Sequence, residues 1–139
     1  MSDGKALTTL TAGCAKAWSS IDLRSCKLMD TSAATNLAQM QSLTSVDLSD
    51  NKNLTDNAIQ ALASCEALST LTLAGCGKVT EVLQVPSLTD VNMSGCSLTD
   101  DGIDGIRVCS ALQVLILAGC NKLTSRGEFI PPLSLLLAA

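Results

Sequence analysis

The chain repeats one short arrangement of apolar and polar positions. Leu43-Thr44-Ser45-Val46-Asp47-Leu48-Ser49-Asp50-Asn51 is apolar at its first, fourth and sixth positions and carries Asn at its ninth. The arrangement recurs, with Cys at the ninth position, in Trp18–Cys26, Leu68–Cys76, Leu88–Cys96 and Leu112–Cys120. The copies start 25, 25, 20 and 24 residues apart. Apolar residues two apart, with a polar residue between them, predict a short strand. A unit this small cannot bury its own apolar side, so the units must stack. Stacking sets Ile21, Val46, Leu71, Val91 and Leu115 in one ladder and Leu23, Leu48, Leu73, Met93 and Leu117 in the next.

Between strands the period changes. Leu54–Cys65 aligns with Leu98–Cys109, and both open on Leu-Thr-Asp. The Thr-Asp pair predicts a helix N-cap, its side-chain oxygens accepting backbone N–H groups of the first turn. Ala58, Ile59, Leu62 and Cys65 then recur at helical spacing, as do Ile103, Ile106 and Cys109. Asp30–Met40 is a looser copy, with Ala33, Leu37 and Met40 facing inward. The 20-residue copy has no such segment; Glu81–Val85 with Pro86 predicts an extended or single-turn crossing. At the N-terminus, Ala6–Cys14 reads as a degenerate copy without room for a helix, so residues 1–17 are expected to cap the repeats of residues 18–123. Residues 124–139 depart from the pattern and are expected to form a C-terminal cap or tail.

Composition narrows the chemistry. Hydrophobic residues make up 47% of the 139, enough for a packed core, yet the chain has one Trp, one Phe and no Tyr. The absence of His removes Ser-His-Asp and Cys-His catalysis and His-based metal sites. A net charge of −4 argues against a nucleic-acid or anionic-membrane surface. Seven cysteines cannot all pair within the chain, and none are spaced as CxxC. With no apolar run of signal-peptide length at the start, free thiols point to a reducing, cytoplasmic compartment. The longest apolar stretch, Leu133–Ala139, is broken by Ser134 and too short to span a bilayer. Gly75–Thr80 lacks the upstream Gly of a phosphate loop, and Asp100, Asp101 and Asp104 lack the spacing of a calcium loop. No catalytic residue, cofactor or metal is expected.

The L-x-x-L-x-L-x-x-C cores, the Leu-Thr-Asp-Asp-Gly-Ile stretch at 98–103, and Cys65 and Cys109 just ahead of the next strand resemble the leucine-rich repeat. The resemblance is to its cysteine-containing, F-box receptor-like and ribonuclease-inhibitor-like subtype. It implies an α/β fold: a short solenoid, a right-handed horseshoe fragment with a small parallel sheet of about five strands. The ninth-position Cys or Asn would satisfy backbone groups buried where the chain turns inward after each strand.

Strand residues between the apolar positions point to the concave face. That face gathers Asp22, Arg24, Asp47, Thr72, Asp90, Asn92 and Ile116 as candidate partner-binding residues. It is Ser/Thr/Asp-rich at its N-terminal end and apolar at Val114, Ile116 and Ala118. The expected activity is non-enzymatic protein–protein interaction, with no small-molecule substrate. One form is a small structural subunit docked in a larger assembly through its apolar ends, Leu7 and Leu10 or Phe129, Ile130 and Leu133. The family resemblance raises a second, the receptor repeats of an F-box-type ubiquitin ligase. The repeats begin by residue 18, so the chain would then be a fragment lacking the F-box. The acidic balance raises a third, an inhibitor of a basic enzyme.

Overall fold

The computed structural model describes residues 19–26, 37, 39–123 and 134–136. The element order is β1 (Ser20–Asp22), β2 (Ser45–Asp47), α1 (Asp56–Gln60), β3 (Thr70–Thr72), β4 (Asp90–Asn92), α2 (Asp100–Ile103), β5 (Val114–Ile116) and β6 (Ser134–Leu136). Each helix tightens into a 3-10 turn, Ala61–Ser64 after α1 and Asp104–Val108 after α2. The strands pair in chain order into one parallel sheet of six. Sequence reading anticipated about five; the sixth comes from the tail, where Leu135 falls in register with Leu115. Leu-Leu-Leu with no repeat spacing around it gave the pattern nothing to match.

The register sets like positions side by side: Ile21 against Val46, Val46 against Leu71, Leu71 against Val91, Val91 against Leu115. Both ladders are buried, as are Leu43, Leu68, Leu88 and Leu112 at the first position. Hydrogen bonding continues past the strands. The sixth-position N–H donates to the fifth-position carbonyl of the next repeat (Leu23 to Asp47, Leu48 to Thr72, Leu73 to Asn92, Met93 to Ile116) at 2.7–2.9 Å. Residues of the helix turns, Ile59, Leu62, Ile103 and Ile106, close the same core from the other side. Leu37 and Met40 are buried as the looser copy requires. Ala33 and the proposed cap of residues 1–17 lie outside the described residues.

From Asn51 onward the ninth-position ladder has one geometry, whereas Cys26 Sγ donates within its own repeat to the Arg24 carbonyl at 3.5 Å. Asn51 Nδ2 donates to the Leu23 carbonyl at 2.9 Å. Cys76 Sγ donates to Leu48 (3.2 Å), Cys96 Sγ to Leu73 (3.1 Å) and Cys120 Sγ to Met93 (3.0 Å). From Asn51 onward the acceptor is in every case the sixth-position carbonyl of the preceding repeat. Cys65 and Cys109 act similarly behind the helices, on the Met40 and Leu83 carbonyls. The residue just before this ladder adopts positive φ in all five copies: Ser25, Asp50, Gly75, Gly95 and Gly119. At Gly75 a Cβ would also meet the Asp50 carboxylate, which would have to turn aside.

The 20-residue copy crosses without a helix, as anticipated, and buries Val79, Val82, Leu83 and Val85. Its neighbours hold it directly. Asp56 is not a helix cap, as the Thr-Asp pair suggested; Thr55 alone caps α1, its Oγ1 accepting from Asn57 N at 3.3 Å. Asp56 instead reaches the crossing, where its carboxylate accepts from Thr80 N (2.8 Å), Glu81 N (3.1 Å) and the Thr80 hydroxyl. On the other side Val82 N donates to the Gly102 carbonyl and Thr99 N to the Thr80 carbonyl. The crossing lies so close to α2 that a Cβ on Gly102 would collide with the Thr80 carbonyl oxygen.

Candidate interaction face

The helices cover one face of the sheet; side chains flanking each buried strand residue form the other. All seven candidate residues of that face are described. Asp22, Asp47, Thr72, Asn92 and Ile116 follow one another across β1–β5 in register. Asp90 lies one row away, directly beside Val114. Asp22, Arg24 and Asp90 are exposed; Asp47, Thr72, Asn92, Val114, Ile116 and Ala118 are half-buried.

The charged end is organised internally. Arg24 Nε and Nη2 reach both oxygens of Asp22 at 2.9–3.2 Å, and Nε lies 3.5 Å from Asp47 Oδ2. The guanidinium bond to Asp22, then its backbone N–H, hold the Asp22 carboxyl below its ordinary range; Asp22 in turn raises Arg24. Asp22 and Asp47 thus share the Arg24 guanidinium, and Asp90 stands apart on β4.

These acids also shape the chain. Asp22 Oδ1 accepts from Arg24 N (3.1 Å), Asp47 Oδ1 from Ser49 N (3.0 Å) and Asn92 Oδ1 from Ser94 N (3.0 Å). Each closes an Asx turn at the end of its strand. Sequence reading treated these side chains as surface alone. The signal it passed over was Asp or Asn recurring at the last strand position, where a short side chain can bond the N–H two residues on. Asp90 is engaged by the Thr89 hydroxyl, 2.8 Å from its Oδ1. The second group of candidates, Leu7, Leu10, Phe129, Ile130 and Leu133, lies outside the described residues.

The five buried thiols offer little chemistry. Burial raises Cys65, Cys76, Cys109 and Cys120 above the ordinary thiol value and pushes Cys96 up to about 12. A thiol that stays protonated is a poor nucleophile and a poor metal ligand. Among the described residues, no three His, Cys, Asp or Glu side chains gather to hold a metal ion, and no helix is long and apolar enough to cross a membrane.

The repeat geometry agrees with the comparison to known families. The Leucine Rich repeat family model matches residues 39–63 and 86–106. These spans hold the two Leu-Thr-Asp helix openings and strands β2 and β4. These two spans are leucine-rich repeats, and the fold is a small α/β leucine-rich-repeat solenoid. Such repeats are generally protein-interaction modules and typically not enzymes. Comparison with curated proteins finds no match.

Proposed function

We propose that this chain binds a protein partner through the open face of its sheet, without catalysis. The observation that carries this reading is the face itself. Asp22, Asp47, Thr72, Asn92 and Ile116 form one row over five parallel strands, running from a charged end to an apolar one. Among the described residues no loop interrupts it. Strand β6 weighs against docking through the C-terminal end, because it gives the β5 edge a partner within the chain.

Affinity purification from native extract tests the reading with two sets of variants. Thr72→Arg places a bulky cation in the middle of the face and should abolish capture of the partner. Leu7→Ser with Leu10→Ser, and Phe129→Ser with Leu133→Ser, should leave capture intact. The reverse pattern would make the chain a small structural subunit docked through its ends in a larger assembly. Unchanged circular dichroism controls for folding.

A further inference from the structure

We infer that the partner presents an extended segment to this face, with a cationic side chain over Asp47 and an apolar side chain four residues away over Ile116. The inference rests on the open face being the binding surface and adds what that surface selects. Asp47 lies on β2 and Ile116 on β5, in the same row, three strand steps apart. At about 4.8 Å per step the two positions are about 14 Å apart. An extended chain advances about 3.3 Å per residue, so residues i and i+4 span about 13 Å. Even spacing also sends both side chains to the same side of the segment.

The chemistry at each end matches. Asp47 uses Oδ1 in its Asx turn, and Oδ2 is 3.5 Å from the Arg24 Nε that is already committed to Asp22. A partner guanidinium or ammonium at Oδ2 therefore competes only with this long contact. Asp90, exposed beside Val114, adds to the negative field. At the other end Val114, Ile116 and Ala118 form a half-buried apolar patch that lacks an aromatic of its own. Between the ends stand Thr70, Thr72 and Asn92, small groups whose hydroxyls and amide suit the unpaired backbone of an extended chain better than a helix, whose backbone bonds are already made.

Selection from a random twelve-residue peptide display library on the full chain tests this. The expected result is enrichment of Arg or Lys four residues from Leu, Ile, Val or Phe, in either chain direction. Binding of the selected peptides should weaken at least tenfold with Asp47→Asn and with Ile116→Ser, and not with Arg107→Ser on the helix side. Enrichment without that spacing, or no enrichment, overturns the inference. Peptides that Thr72→Arg blocks but that lack the spacing leave the open face as the binding surface. Peptides indifferent to Thr72→Arg bind elsewhere and count against that surface too.

Discussion

At the scale of single residues, the ninth position shows how one site tolerates two chemistries. Asn51 and the three thiols that follow it differ in size and polarity, yet each donates to the sixth-position carbonyl of the preceding repeat. The need for a donor there was legible in the sequence, because Cys, or once Asn, recurs at a fixed offset from the strand. The acceptor was not, since it lies 23 to 28 residues away and follows from the stacking. Asn51→Ala should cost about 1–3 kcal/mol, the penalty of a buried carbonyl losing its donor. Asn51→Cys should recover more than half of that in urea denaturation. Equal losses from both would show that volume, not the donor, matters. The thiols also make stability depend on pH in a defined direction. Cys96 is raised from 9.0 to about 12 in the folded chain. Between those values the native state holds more protons than the unfolded one, so stability falls as pH rises. Below the lower value the contribution is fully present. The urea midpoint should be flat up to about pH 9 and then decline, and Cys96→Ala should make that decline shallower. A slope unchanged by Cys96→Ala would mean that other groups cause it.

At the scale of elements, the strands were readable from the chain and the contacts of the helix-free crossing were not. Alternation sets the register of β1–β5, because a slip of one would turn every ladder residue outward. Leu73→Ala should therefore cost about 2–5 kcal/mol, while Glu66→Ala, exposed, stays within about 0.5 kcal/mol. Matching midpoint shifts for the two would refute the register. Asp56 stands beside a crossing whose bare backbone it satisfies. Period alone shows that a helix is missing; it does not show which neighbour fills the gap. Gly102 carries the sharpest consequence. In a helix Ala is favoured over Gly by about 1 kcal/mol, but the Thr80 carbonyl occupies the place of its Cβ. Gly102→Ala should destabilise by about 1–3 kcal/mol. Gly105→Ala meets the Gln84 side chain from Cγ outward at 3.0 Å, a neighbour that can turn aside as a backbone carbonyl cannot, and should cost less than Gly102→Ala. Thermal melts of the pair check this, and a stabilising Gly102→Ala would mean that the crossing lies further from α2.

At the scale of the whole molecule, stacking turns a local rule into a surface property. Each repeat contributes one residue per row, so the face acquires a gradient from acid to apolar that no single repeat contains. The row was legible because it follows from alternation. Its effective charge was not, because that depends on Arg24, which strand pairing brings within 3.5 Å of Asp47 on the next strand. Exposed carboxylates act mainly on encounter, through the summed potential, and salt screens them. Removing Arg24, the one cation of the face among the described residues, should therefore make it a better attractor for a basic ligand. Arg24→Gln and Arg107→Gln change the net charge equally, one on the open face and one on the helix side. With a blocked hexa-arginine peptide as probe, stopped-flow association at low salt should be several-fold faster for Arg24→Gln than for Arg107→Gln. Its rate should also fall more steeply as salt is added. Equal rates for the two variants would mean that the peptide responds to the charge of the molecule and not to the face, and the acidic row would lose its role in steering.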